Sequence, residues 1–192
     1  EHLMLVLDMA ARLQAPLTVR YACLCHDLGK ATTPPEDLPR HPGHEQRSVD
    51  LLRPMSARLR VPTHCRELAE VVAREHGVIH GALSLSAEET VLLLERCDAF
   101  RQPKRFEEVL LACECDFRGR LGLEDLVYHQ APYLVHALHE LQKLDEGAIA
   151  LAAQQQWQHL SRSKALSNDH PSIGSYIRAT LHRQRVKTIG SL

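Results

Sequence analysis

The sequence predicts an all-α protein. Apolar residues recur at the 3.6-residue spacing of a helix in nearly every segment, and no strand-like alternation lasts more than a few residues. Hydrophobic residues make up 44% of the 192 positions, which excludes a disordered or fibrous chain and is enough for a buried core. The length predicts one domain, or one domain with a helical appendage.

The first half of the chain divides into helices around a proline-rich loop. Helical spacing predicts helices over three segments, 1–14, 17–29 and 63–76. Gly29 and Gly77 are the expected stops of the second and third. Four prolines make 31–43 an irregular loop. The helix that restarts near Gly43 should break or kink at Pro54.

The second half of the sequence is expected to form five more helices. Ser86 and Glu89 have the spacing of a capping box, which opens a helix that should run through Asp98. Four further helices are expected over 104–118, 129–144, 147–160 and 171–188. Because the first predicted helix begins at once and without a starting Met, the sequence is expected to be a fragment of a longer protein.

The charge balance argues against a general nucleic-acid binder. The chain carries 23 basic and 24 acidic residues, and only 4% of its residues are aromatic. Residues 159–192 hold six basic residues, among them Lys164, against one acidic residue. A solvated helix face is the favoured interpretation of this basic end, and a segment that contacts phosphates is the alternative.

The expected location is the cytoplasm, with thiols reduced. No apolar run approaches the roughly 20 residues that span a membrane, and no signal peptide opens the sequence. The six cysteines include two Cys-x-Cys pairs, at 23/25 and 113/115. Both pairs lie in helical patterns, where residues two apart point to different faces, so we expect reduced core thiols rather than a zinc site.

Histidine is unusually frequent, with 13 of 192 residues, and the adjacent pair His26-Asp27 is the most informative place where it occurs. The imidazole supplies one metal-ligating nitrogen, and a carboxylate has two oxygens with which to bridge two ions. Lys30 lies four residues after His26 and three after Asp27, so it shares their helix face. From there its ammonium group can hold a substrate phosphate, which makes these three residues the candidate catalytic group.

Four other residues are candidate metal ligands: His2, His44, His76 and Asp98. Each alone has an ordinary structural explanation, since the histidines can cap or pack and Asp98 can pair with Arg96 or Arg101. However, Asp98 would share an apolar face with Leu94, where an ionised carboxylate is costly unless it is paired or bound to a metal. Together with His26 and Asp27 they give six nitrogen and oxygen ligands, which suits hard or borderline divalent ions.

The order His2, His26-Asp27, His44, His76, Asp98 resembles the HD-domain metal-dependent phosphohydrolases, which are all-α. Four blocks narrow the resemblance to the C-terminal HD domain of bacterial multifunctional CCA-adding tRNA nucleotidyltransferases: CHDLGKATTPPEDLPRHPGHE (25–45), RLRVPTHCRELAEVVAREH (58–76), CDAFRQPKRFE (97–107) and ECDFRGRLGLED (114–125). The resemblance implies an HD helical bundle over 1–126 and a C-terminal helical extension over 127–192. It also carries the family's metal ligands onto the six positions above.

The resemblance implies phosphatase, 2′-nucleotidase and 2′,3′-cyclic phosphodiesterase activities that act on tRNA 3′ ends during maturation and repair. Two divalent ions are expected, nickel, manganese, magnesium or iron, with Asp27 and a water bridging them. The alternative is a single ion, in which case His44 and His76 would be substrate contacts or acid catalysts. Further candidates are Arg118 and Arg120 for a substrate phosphate, and His41 and His80 as proton donors to the leaving oxygen. The two arginines can equally be surface residues that pair with Glu114 or Glu124.

The expected substrates are tRNA 3′ ends or 2′,3′-cyclic and 2′-phosphorylated nucleotides. A nucleotidyltransferase part of the same polypeptide is a further expected partner, and its signature is absent from this sequence. A second copy of the chain, in a homodimer, is also expected. No membrane partner is expected. Two alternatives stay open. One is a stand-alone HD hydrolase of free nucleotides. The other is a mainly non-catalytic tail that binds tRNA or dimerises, which the basic end favours.

Overall fold

The computed structural model describes residues 1–163 and 171–192, and these residues form nine α-helices without any strand. The prediction of an all-α fold is thereby confirmed. The helices are α1 (His2–Arg12), α2 (Leu17–Cys25), α3 (His44–Arg58), α4 (Thr63–His80), α5 (Ala87–Arg96), α6 (Pro103–Arg118), α7 (Gln130–Gln142), α8 (Glu146–Ser163) and α9 (Ile173–Ile189). Short 3₁₀ turns at Leu28–Thr32, Pro35–Asp37 and Ala82–Ser84 occupy parts of the loops.

Two helices are longer than the sequence predicts. The break expected at Pro54 does not occur, because α3 continues to Arg58. Pro54 removes the hydrogen bond to the carbonyl of Asp50, but both residues are exposed, so water can take the bond that is lost. The stop expected at Gly77 is also wrong, since α4 continues to His80. Burial of Ile79 on the far side of Gly77 outweighs the cost of about 1 kcal/mol for glycine within a helix.

The core lies between α2, α4 and α6. Helix α1 packs against α2 and α6, and α3 packs against α4 and the turn after α2. Buried Val19, Leu68 and Phe106 belong to one continuous apolar cluster. All six cysteines are buried and free, as the sequence predicts. This packing brings the start of α1, the end of α2, the start of α3 and parts of α4 and α6 to one side of the molecule.

Two glycines allow helices to approach closely on that side. A Cβ atom on Gly29 would lie 2.2 Å from the backbone oxygen of His44. A Cβ atom on Gly119 would lie 2.7 Å from the Cα of Val6. Both distances are shorter than van der Waals contact permits, so only glycine lets the turn after α2 rest on α3, and the end of α6 rest on α1.

The C-terminal helices fold back on the bundle. Helix α9 packs against α5, α7 and α8, and the core cluster extends to Leu141 and Ile189. The Arg185 guanidinium lies 3.8 Å over the ring centre of Phe100 and 2.8 Å from Glu95 Oε1, so this basic residue has a structural partner. The predicted boundary at residue 126 stays a prediction. Lys164 of the basic end lies outside the described residues.

In the part of the chain described, no helix has the length and apolar character needed to cross a membrane.

Candidate metal centre

Six histidine and aspartate side chains converge where the helix ends meet. We call them the His–Asp cluster: His2, His26, Asp27, His44, His76 and Asp116. Four lie at or beside helix termini, at the start of α1, just after α2 and at the start of α3. The other two project from α4 and α6. The sequence predicts five of the six, and the structure brings all five together.

The cluster divides into two ligand groups. One contains His2, His26 and Asp116, the other Asp27, His44 and His76, and within each group one possible ligand atom per residue lies within 4.8 Å of the others. Asp27 connects the groups through its two oxygens. Its Oδ2 lies 3.2 Å from His26 Nε2, while its Oδ1 lies 3.3 Å from His44 Nε2. A carboxylate in this position can bridge two ions.

All four histidines of the cluster are oriented in the same way. Each Nδ1 lies within hydrogen-bond distance of a backbone carbonyl oxygen: His2 of Gly119 (3.2 Å), His26 of Cys23 (2.8 Å), His44 of His41 (2.9 Å) and His76 of Val72 (3.0 Å). A carbonyl only accepts hydrogen bonds, so in His26, His44 and His76 the proton lies on Nδ1 and Nε2 keeps a lone pair that faces the cluster. His2 has an acceptor oxygen beside each ring nitrogen, because its Nε2 also lies 2.8 Å from Asp116 Oδ1. A histidine that binds a backbone carbonyl through Nδ1 and turns Nε2 inward has the usual arrangement of a metal ligand.

Two buried atoms show that a cation fits this donor set. His26 Nε2 and Asp27 Oδ1 are buried without a hydrogen-bond partner. Nε2 of His44 and Nε2 of His76 lie 3.4 Å apart, so with both protons on Nδ1 two lone pairs face each other. Buried acceptors that point at one another are unfavourable unless a positive charge lies between them. Imidazole nitrogens and carboxylate oxygens without thiolate suit borderline or hard divalent ions.

The pKa values of the buried acidic and histidine groups of the cluster are shifted by the opposite charges of their neighbours. Burial by itself raises the pKa of Asp27, but the neighbouring His26 and His76 side chains and the hydrogen bond from Lys30 outweigh it and hold that pKa well below its usual range. The pKa of Asp116 is lowered against burial by His26 and His80. Burial lowers the pKa of His26, yet Asp116 and Asp27 raise it to about 10. Without a metal, a proton on His26 therefore supplies the missing positive charge.

Asp98 does not belong to the cluster, so the structure contradicts the prediction that its carboxylate lies with the other five candidate ligands. Helix α5 ends at Arg96, two residues before the predicted end, and Asp98 has a left-handed backbone with φ of +56°. Its carboxylate therefore turns away from the apolar face. It accepts hydrogen bonds from Arg101 Nε at 2.7 Å and Gln102 Nε2 at 3.1 Å. Pairing with Arg101 was the alternative that the sequence left open.

Asp116 takes the place that the sequence assigns to Asp98. Its side chain is only 5% exposed, and its Oδ1 lies 2.8 Å from His2 Nε2 and 3.4 Å from His26 Nε2. The signal was present in the sequence, because Asp116 follows the buried residues Val109 and Cys113 at helical spacing on α6. An ionised carboxylate on that face carries the same cost that pointed to Asp98.

The other predicted site residues lie around the cluster in different roles. Lys30 Nζ is 2.6 Å from Asp27 Oδ2, and with His2 and Arg120 it lines an open cleft of about 580 Å³. Arg118 instead donates to Glu114 Oε1 at 2.7 Å, which is the surface pairing that the sequence left open. His41 Nδ1 contacts Thr33 Oγ1 at 2.8 Å. The two ring nitrogens of His80 are occupied, by Tyr128 and Asp116.

Comparison with known proteins gives one family and one kind of relative. The family model described as "HD domain" matches residues 1–116. The chain is 53% identical over 188 residues to the "Multifunctional CCA protein" of Polaromonas naphthalenivorans (strain CJ2), covering 98% of this chain and 41% of the relative. It is 56% identical over 188 residues to that of Acidovorax sp. (strain JS42), with the same coverages. It is 60% identical over 152 residues to that of Verminephrobacter eiseniae (strain EF01-2), covering 79% and 37%.

The chain thus spans about two fifths of the length of these curated relatives. No solved structure matches it. The matched residues 1–116 contain the whole His–Asp cluster, including Asp116 at the last matched position. The resemblance predicted from the sequence and the expected HD-type enzyme are confirmed: the chain belongs to the HD domain family.

Proposed function

We propose that the chain hydrolyses phosphate esters with divalent metal ions held by the His–Asp cluster. The observation that supports this most strongly is that Asp27 joins two groups of inward-facing ligands, with His26 and His44 each within 3.3 Å of one of its oxygens. Two ions at such a site is our proposal, with His2, His26 and Asp116 holding one and His44 and His76 the other. Nickel, manganese, magnesium and iron are the candidates.

A bound divalent ion supplies Lewis acidity and lowers the pKa of a water, which creates a nucleophile near neutral pH. The chain's own residues supply the rest. Asp27 contributes negative charge at the centre of the cluster, and the backbone carbonyls of His41 and Val72 orient His44 and His76. Lys30, whose side chain is 37% exposed, offers an ammonium group to a substrate phosphoryl oxygen at the edge of the cleft. Arg120, 51% exposed, offers a second cation on the same side.

We further propose that the substrates are 2′,3′-cyclic and 2′-phosphates at tRNA 3′ ends, opened or removed during 3′-end maturation and repair. The support is the name of the relatives, multifunctional CCA protein, and the open cleft beside the cluster, which is lined by the two cations Lys30 and Arg120. The partner in the same polypeptide would be a nucleotidyltransferase. A homodimer and a cytoplasmic location stay predictions.

One experiment tests the proposed function against both alternatives, because it compares hydrolysis of a free nucleotide with hydrolysis of a tRNA end. The full chain, stripped of metal, is mixed with each candidate metal and with 2′,3′-cyclic AMP or a tRNA that ends in a 2′,3′-cyclic phosphate. We expect metal-dependent turnover of both, and its loss in a His26→Ala/Asp27→Ala double variant. The exposed His64→Ala variant is the control. Turnover that survives the double variant overturns the proposed site, and no turnover with any metal supports the non-catalytic tail.

A further inference from the structure

Next to the His–Asp cluster lies a chain of three polar groups, formed by Tyr128, His80 and Asp116. Tyr128 and Asp116 are buried, and the His80 side chain is 21% exposed. The Tyr128 hydroxyl lies 3.0 Å from His80 Nδ1, and His80 Nε2 lies 2.6 Å from Asp116 Oδ2. The other oxygen of the carboxylate, Oδ1, faces His2 and His26. The two oxygens of Asp116 therefore have separate surroundings, one within the ligand group and one outside it.

The direction of the hydrogen bonds follows from the chemistry of the partners. An ionised carboxylate only accepts, so His80 must carry its proton on Nε2 and donate it to Asp116. His80 Nδ1 is then an acceptor, and the Tyr128 hydroxyl donates to it. This is the opposite tautomer from His26, His44 and His76, which carry the proton on Nδ1. His80 is thus set up to hold a ligand rather than to be one.

The surroundings of the chain fix its members in place. Tyr128 is 3% exposed, and its ring packs against those of His80 and Phe117, with ring centres 5.8 and 5.3 Å apart. Gln130 Nε2 donates to the backbone oxygen of His80 at 2.9 Å, which anchors the end of α4. Burial also raises the pKa of Tyr128, so the hydroxyl keeps its proton.

No other group holds Asp116 Oδ2 as closely among the described residues. The nearest cation, Arg120 Nη2, is 3.7 Å away on a half-exposed side chain, which is beyond hydrogen-bond distance. We propose that Tyr128 and His80 are positioning residues that hold Asp116 so that only Oδ1 is offered to a metal ion. This inference rests on the proposed metal site and gives His80 a role other than the proton donor expected from the sequence.

The test is a metal-binding titration of the full chain without substrate. Binding of Co²⁺ is measured by its visible absorption, and binding of Ni²⁺ is measured by calorimetry. Loss of a hydrogen bond to a metal ligand lowers metal affinity by about 10- to 100-fold. We expect a loss in this range for His80→Ala and a loss of about tenfold or less for Tyr128→Phe. His80→Gln should recover part of the affinity, because its amide N–H can donate to Asp116 in place of Nε2.

The matched controls are His64→Ala, at an exposed position of α4, and Tyr133→Phe on α7. Circular dichroism identifies any variant that fails to fold, and Tyr128→Phe removes a single oxygen atom. If the unchanged chain binds no metal, the proposed function fails. If it binds metal and His80→Ala binds it equally well, the positioning role is overturned. A His80→Gln affinity no better than that of His80→Ala, or an unchanged Tyr128→Phe affinity, likewise contradicts the chain of donors.

Discussion

Replacing Asp116 and Asp98 in parallel separates the site that the structure forms from the one that the sequence predicts. Asp116→Asn keeps the shape of a side chain that is 5% exposed but removes its negative charge beside His2 and His26. Loss of a group that only supports a ligand costs roughly 10- to 100-fold in metal affinity. Since Asp116 is itself the candidate ligand and also accepts from His80, we expect a loss of about 100-fold or more.

Asp98→Asn is the matched control, because it makes the same chemical change on a carboxylate whose partners are Arg101, Gln102 and Arg105. We expect metal affinity and turnover to stay within about twofold of the unchanged chain, since neither Asp98 nor any of these partners belongs to the His–Asp cluster. The assay is competition for metal with a chromogenic chelator, together with hydrolysis of 2′,3′-cyclic AMP. A large loss in Asp98→Asn combined with normal binding in Asp116→Asn would refute the assignment.

Three further predictions concern packing, charge and substrate. Gly29→Ala puts a Cβ 2.2 Å from a backbone oxygen of α3, so we expect the free energy of unfolding in urea to fall by about 1–3 kcal/mol. The control is Gly81→Ala, whose Cβ would meet its nearest atom at 3.5 Å, and its free energy of unfolding should stay almost unchanged. In the metal-free chain the pKa of His26 is raised from 6.5 to about 10, so its stabilisation is complete below pH 6.5 and is lost as the pH rises toward 10. The free energy of unfolding, measured between pH 6 and 10, should therefore fall by roughly a few kcal/mol, and a His26→Asn variant should lose this dependence. Lys30→Met should lower kcat/KM for phosphate esters by about 10- to 100-fold while metal still binds, because a charge-assisted hydrogen bond contributes about 1.5–3 kcal/mol; an unchanged kcat/KM would remove Lys30 from the substrate site.

The capping-box motif correctly predicted where α5 begins. Ser86 and Glu89 form the capping box at the start of α5, with both reciprocal hydrogen bonds present. Pro54 and Gly77 were misleading because their cost is local, whereas the burial of Ser56 and Ile79, which lie beyond them, depends on neighbouring helices. Sequence reasoning weighs only the residue and its immediate neighbours, so it ends such helices too early.

The sequence predicted all four histidines of the His–Asp cluster but only one of its two carboxylates. His26-Asp27 is adjacent in sequence, and the remaining histidines follow from the order of motifs in the family. The expectation that Asp98 is the second carboxylate depended on where α5 ends, since two residues decide whether Asp98 continues the apolar face or turns away in a left-handed conformation. A backbone angle of this kind has no marker in the sequence. The burial of Asp116 follows from the packing of α6 against α1, α2 and α4.

The most direct test of the metal centre is anomalous diffraction from crystals of the chain grown with Ni²⁺, recorded at the nickel absorption edge. We expect two peaks on either side of Asp27, one among His2, His26 and Asp116 and the other beside His44 and His76. A peak at Asp98, or the absence of any peak within ligand distance of Asp27, would contradict the account.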